Sequence, residues 1–151
     1  MKTFLGYWFS REDGTTDYQK IPAAIGRTDR VEGEIVPCRN GLHASPTPSD
    51  ALKFACGSLL WEVELTEAVE HMIHWRKYAG RTRKYLRCAR IPMRHAAQHA
   101  LGDLWQCPDI VREYLVEESN GKDDEASWAA ARVFDGIEQS FNALCMEALD
   151  R

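Results

Sequence analysis

The sequence predicts an α+β fold: one domain over residues 1–151, with a small mixed or antiparallel sheet in residues 1–93 and a helical part in residues 94–151. Three observations carry that prediction. Ser58–Leu65 alternates, with Leu59, Trp61, Val63 and Leu65 on one face and Leu60, Glu62 and Glu64 on the other. Phe4–Phe9 is a short aromatic and apolar run of strand-forming residues. The last third repeats its apolar residues at helical spacing, and strands followed by helices are the α+β order. A chain of 151 residues holds one sizeable core but not two ordinary domains.

Along the chain, the first strand over Phe4–Phe9 ends in an acidic turn at Asp13-Gly14. Residues 15–33 carry Gly26 and Gly33 as breakers and read as irregular. Glu34–Cys38 reads as a short strand that Pro37 confines to an edge or a bend, and Asn40-Gly41 as a turn. A short helix opens at Thr47, with Pro48 in its first turn and Asp50 beside the free N–H groups, and stops at Gly57. After the strand over Ser58–Leu65, residues 66–82 read as a polar connection and Tyr85–Ile91 as a further strand. Helical patterns follow over His95–Gln106 and from Ile110 to Val116. The longest runs from Asp124 to Leu149, with Ala126, Ala130, Val133, Phe134, Ile137, Phe141, Leu144 and Ala148 as its apolar face. That face suits covering the sheet or pairing in a homodimer.

Composition excludes several classes. With 44% hydrophobic and 28% charged residues the chain is neither disordered nor fibrous. No run of roughly eighteen apolar residues exists to span a membrane, so no membrane partner is expected. Met1–Gly14 lacks the basic head and apolar stretch of a secretory signal, so a cytoplasmic location is expected. The five cysteines are widely spaced and include no CxxC pair, which predicts reduced, buried thiols.

The net charge of −4 hides an uneven layout: residues 71–99 hold eight basic and no acidic side chains, and four of the five histidines. Arg76, Lys77, Arg81, Arg83, Lys84, Arg87, Arg90 and Arg94 alternate there with Trp75, Tyr78 and Tyr85. Guanidinium forks suit phosphate and aromatic rings suit bases, so the run predicts a nucleotide or single-strand surface. The acidic segment 100–151 offers the opposite outcome, in which its carboxylates pack against these cations.

Phosphate-loop, dinucleotide-fingerprint, zinc-protease and serine-hydrolase motifs are absent. His95 and His99 share a helical face, which Asp103 continues, in the spacing of a weak metal pair, and no metal is expected. His71 and His74 are weak acid–base candidates without a visible partner. The most distinctive place is Asn40–Ser45, where His43 follows a turn glycine and precedes a capped helix; such a place favours anions.

The string Cys38-Arg39-Asn40-Gly41-Leu42-His43-Ala44-Ser45, with Ser49–Ala55 and Gly57–Leu65 after it, resembles a family of small phage and prophage proteins that share a C-x-x-GLHAS signature. The likeness spans about residues 4–95 and implies origin rather than activity. A remoter likeness is to ADP-ribosyltransferases of the poly(ADP-ribose) polymerase type. Gly41–Ser45 resembles their Gly-Ile-Tyr-Phe-Ala segment, Asp50–Phe54 the helix after it, and Leu59–Leu65 the strand that follows. The resemblance implies NAD as cofactor, with His43 in the tyrosine position beside the nicotinamide and Phe54 as a second stacking ring. Gly6-Tyr7-Trp8 lacks that family's histidine, and Lys84 stands where its catalytic glutamate should. Either the correspondence shifts there, or Glu62 or Glu64 substitutes, or the domain binds without catalysis.

These readings lead to an accessory binding protein of phage or prophage origin, working in the host cytoplasm, more a binder than an enzyme and needing no cofactor. It is expected to engage a nucleotide-like anion or a host protein through Asn40, Gly41, His43, Ser45, Phe54, Arg83 and Arg87. The alternatives are an NAD-binding transferase-like domain using His43, Phe54 and Glu62 or Glu64, and a nucleic-acid binder using the basic run.

Overall fold

A computed structural model of the protein describes residues 2–15, 22–71, 77–98 and 125–151, with side chains of the last helix described from residue 136. His74, Arg76, His99, Asp103, Cys107 and the helical patterns predicted between residues 99 and 121 lie outside the described residues.

Strand β1 (Thr3–Ser10) is followed by β2 (Thr28–Arg30), β3 (Leu42–Ala44) and the short helix α1 (Pro48–Leu52). Then come β4 (Leu59–Thr66), β5 (Val69–Glu70), β6 (Tyr78–Gly80), β7 (Thr82–Arg90) and the long helix α2 (Glu125–Asp150). One antiparallel sheet has the order β1-β4-β7-β2 and a second the order β3-β6-β5. An α+β fold with antiparallel sheets first and a long helix last is therefore present. No helix among the described residues is long and apolar enough to cross a membrane.

The alternation of β4 is realised on two covered faces. Trp61, Val63 and Leu65 meet Ala44 and Tyr85 in one buried cluster, and Leu60 meets Tyr7, Phe9, Phe141, Cys145 and Leu149 in the other. Leu60, Val63 and Leu65 are fully shielded from water, each contributing roughly 1.5–3 kcal/mol of burial. Among the described side chains of α2, Phe141, Cys145 and Leu149, four apart, are buried against the sheet with Ile137 and Ala148 packed beside them, while Leu144 points outward at 45% exposure. The predicted stripe is thus rotated by one residue at that turn, because i, i+4 spacing keeps side chains over the sheet. The thiols divide as well: Cys145 is buried, whereas Cys38 and Cys56 are exposed.

Helix α1 begins as its sequence dictates. The Thr47 hydroxyl accepts from the Asp50 N–H at 3.2 Å, and Pro48 occupies the first turn. It ends at Leu52, before Gly57. A Cβ at Gly57 would lie 2.4 Å from the Ser10 carbonyl oxygen, so that glycine serves a close backbone approach.

Three expectations change. Residues 34–38 form no strand. Cys38 adopts a left-handed conformation (φ 66°), and the chain folds back so that Val36 bridges Asn40. Segments read as irregular or connecting contain β2, β5 and β6. The Leu42-His43-Ala44 turn exit is itself a strand, β3, paired with β6 in the register His43 to Ala79. Beyond β3, Ser45 and Tyr7 exchange two backbone hydrogen bonds of 2.8 Å, and this bridge joins β1 to the Gly-Leu-His segment.

Candidate functional site

A cavity of about 600 Å³ opens where β1, β2, β3, the end of α1 and β7 converge. Small-molecule sites occupy roughly 300–1,000 Å³, so it is of ligand size. Asn40, Gly41, His43, Ser45, Phe54 and Arg83 all line it; of the expected binding residues, only Arg87 does not.

Arg83 forms part of the wall. It is 3% exposed and is held by neutral groups. Its Nη1 donates to the His43 carbonyl oxygen at 2.9 Å, and its Nε and Nη2 donate to the Tyr85 hydroxyl oxygen at 3.2 and 3.0 Å. The Trp8 ring covers it, with the guanidinium carbon 3.9 Å from the ring centroid. A desolvated cation–π contact is worth about 2 kcal/mol and offsets part of the cost of burying the charge. The Tyr85 hydroxyl then donates to Asp29 Oδ2 at 2.7 Å, and Asp29 pairs with Arg27 at 2.8 Å. Burial, first of all, raises the Tyr85 pKa, so the phenol remains a donor to Asp29.

His43 sits on β3 above this network. Its Nε2 accepts the Cys38 backbone N–H at 3.2 Å. Burial, with the nearby Lys77, Arg83 and His71, pushes its pKa down to about 4. The ring is therefore neutral near pH 7 and, with Nε2 accepting, carries its proton on Nδ1.

Asn40 has a different task from the one its sequence suggested. Its Nδ2 donates to the carbonyls of Glu32 and Glu34 at 2.6 and 2.8 Å, which staples the 32–40 loop. Gly41 is needed for space: a Cβ there would fall 2.8 Å from the Ala79 Cβ. Phe54 stands 41% exposed at the rim with Lys77 Nζ 4.2 Å from its ring centroid.

Charge at the cavity is one-sided. Among the described residues Arg27, Arg30, Arg39, Lys77 and Arg83 line it, against Asp29 as the one lining carboxylate. Arg27 uses Asp29, and Arg30 pairs with Glu32 at 2.9 Å. Among the described residues no carboxylate stands within ion-pair distance of Arg39, Lys77 or Arg83. The positive charge of the cavity thus comes from side chains. The N-terminus of α1, only five residues long, is taken up by its own Thr47 and Asp50.

The other sequence candidates lie elsewhere. Arg87 is on the opposite face of the sheet, where its Nε and Nη2 donate to Glu62 at 3.1 and 2.7 Å and its Nη1 to Asp150 of α2. Those carboxylates raise its pKa further, Glu62 first. Glu62 also accepts from the Tyr7 hydroxyl at 3.4 Å. Neither Glu62 nor Glu64 lines the cavity, which separates both from the His43 and Phe54 rings that the transferase resemblance would set beside them. Elsewhere in the basic run Arg81 pairs with Glu67, and Arg90 and Arg94 pair with Glu12 at 3.1 and 3.4 Å. His95 is exposed, and among the described residues no group of three metal-ligating side chains forms.

Sequence reasoning missed Arg27, Asp29, Arg30 and Trp8. Thr28-Asp29-Arg30 is a polar strand of three residues with no apolar alternation to reveal it. Trp8 could have been found by parity, since Phe4 and Trp8 share one face of β1 and pack in the same cluster.

Compared with known proteins, the chain matches no family model, no curated protein and no solved structure.

Proposed function

We propose that this chain is a binding protein for a nucleotide-like anion, held in the cavity beside His43. The observation that carries this reading is the convergence on one cavity of Arg39, Lys77 and Arg83, three cations without a carboxylate partner among the described residues. Cations left unneutralised around a concavity favour a ligand that brings negative charge. Phe54 stands at the rim of the same cavity and holds Lys77 over its ring, which keeps that cation beside the opening. An accessory role for a phage or prophage, exercised in the host cytoplasm where nucleotides are abundant, fits this reading.

NAD is the member of the ligand class favoured by a second observation: His43 and Phe54, which the transferase resemblance places around that cofactor, line the same cavity. Binding without group transfer is the better reading, because Glu62 and Glu64 lie outside the cavity. The pairing of Arg81, Arg87, Arg90 and Arg94 with carboxylates favours a small anion over a nucleic-acid strand.

Calorimetric titration of the full chain with NAD, ATP and inorganic pyrophosphate tests the proposal. Saturable heat with a nucleotide is expected, weakened at least about tenfold by charge reversal at Arg39 and Lys77 (R39E/K77E). No heat at millimolar ligand overturns it. Tighter binding to a single-stranded oligonucleotide, falling steeply as salt rises, replaces it with the nucleic-acid alternative.

A further inference from the structure

We infer that His43 is the residue that recognises the base-bearing part of the ligand, as a neutral Nδ1–H donor, while the cations of the wall take its negative charge. This rests on the nucleotide-binding reading and names the chemistry of the second half of that ligand: a carbonyl or ring-nitrogen acceptor, such as a nucleobase or a carboxamide presents.

The geometry comes from the Cys38 N–H. It donates to Nε2 at 3.2 Å, so the only proton of the neutral imidazole is on Nδ1. Among the described residues no protein acceptor takes that proton. The ring is half-buried in the cavity wall, where a donor left unmatched costs about 1–3 kcal/mol. An acceptor on the ligand removes that cost, and phosphate alone meets stronger donors elsewhere in the wall.

The surroundings disfavour the imidazolium that a phosphate-binding histidine would need. Lys77 just before β6, Arg83 on β7 and His71 after β5 all bring positive charge or the capacity for it. Arg83 is also bonded to the His43 carbonyl, so its position relative to the ring is fixed.

The test is a cycle of ligand against variant, with NAD and inorganic pyrophosphate titrated into the full chain and into His43→Phe (H43F). Phenylalanine keeps an aromatic ring but has neither the Nδ1 donor nor the Nε2 acceptor of the Cys38 N–H. NAD affinity is expected to fall about tenfold, with pyrophosphate affinity changed less than about twofold. Equal losses for the two ligands overturn the proposal, because His43 would then be serving the phosphates. The pyrophosphate arm guards against a misfolded variant, and the wild-type protein supplies a second check. Nitrogen NMR of its histidines must show the Nδ1–H tautomer for His43, with that proton shifting when NAD is added; an Nε2–H tautomer overturns the proposal. NAD affinity should stay level between about pH 5.5 and about pH 8, since the diester pyrophosphate keeps its charge there. A tenfold gain at the acid end that disappears in H43F identifies an imidazolium and also overturns it. If wild-type protein binds neither ligand, the failure lies with the nucleotide-binding reading itself.

Discussion

Arg83 and Arg87 stand four residues apart on β7, yet they project from opposite faces of the sheet. Even spacing on a strand ordinarily places two side chains on one face. Here the register with β4 slips between Glu62 and Val63: Arg87 pairs with Glu62 and Tyr85 with Val63, so Leu86 is the extra residue of a bulge. The bulge resets the parity. One arginine goes to the cavity and the other to the face under α2.

The two arginines should therefore separate affinity from stability. Arg87→Ala leaves Glu62, 8% exposed, without its cation, and removes the ion pair that ties Asp150 of α2 to the sheet. Breaking a buried pair costs roughly 3–5 kcal/mol. About 2 kcal/mol is expected here, because the Arg87 side chain keeps 34% of its surface in water. Urea unfolding should record that loss while NAD affinity stays within about twofold of wild type. Arg83→Lys preserves charge but loses the fork that binds Tyr85 and His43; it costs stability too, and unlike Arg87→Ala it should lower NAD affinity about tenfold in titration. A variant at Arg87 that folds normally but no longer binds NAD would falsify the division between the faces.

His43 gives stability a pH dependence of known sign. In the folded chain its pKa is lowered from 6.5 to about 4. The unfolded chain thus takes up the proton first as pH falls, and stability is fully present above 6.5 and drains away toward 4. The whole window amounts to about 3 kcal/mol. Carboxylates titrate in its lower part, so the informative quantity is the difference between wild type and H43F. Denaturant unfolding at about pH 7 and about pH 5 should show a smaller loss in the variant, and parallel curves would assign the slope to other groups.

Asn142 couples α2 to α1. Its Oδ1 accepts the Ser49 N–H at 2.8 Å and its Nδ2 donates to the Ser49 hydroxyl at 3.1 Å. Ser49 is 2% exposed, so Asn142→Ala leaves a buried backbone donor unmatched, at a cost of about 1–3 kcal/mol. A lowered thermal midpoint checks this, and Asn142→Asp, which keeps the acceptor, should recover part of the loss.

The fold was legible where a period runs long enough to be counted. β4 has eight residues and α2 twenty-six, and both stand within about two residues of the prediction. β2, β3 and β6 have three residues each, fewer than two full alternations, and their pairing comes from distant partners. The candidate site was half legible for the same reason. The turn glycine, the histidine and the helix cap are local chemistry and pointed to residues 40–45. The wall across from them depends on a bulge and on a short polar strand, and neither leaves a mark in residue order. The alternation sets Glu62 on the strand face opposite Trp61, and nothing local announces that α2 will cover that face.

Gly41 links the local chemistry to the site most tightly. It precedes His43 by two residues, has a φ of +156°, and lies where an added Cβ would come within 2.8 Å of the Ala79 Cβ and 3.4 Å of Ile35 Cγ2. Ala79 is the residue paired with His43 across β3 and β6, and it is fully buried, so it cannot yield by moving into solvent. Gly41→Ala must then push β3 away from β6, which shifts the His43 carbonyl from Arg83 and Nε2 from the Cys38 N–H together. Overpacking of this kind costs roughly 1–3 kcal/mol, and the strained φ adds to it. Gly26→Ala is the matched control: its φ of +86° is as unfavourable to a side chain, but nothing stands within 4 Å of the added carbon. Both variants should lose stability in denaturant unfolding, and Gly41→Ala alone should also weaken NAD binding and raise the His43 pKa toward its ordinary value. If Gly41→Ala binds NAD as tightly as Gly26→Ala does, the β3 segment is not what positions the site.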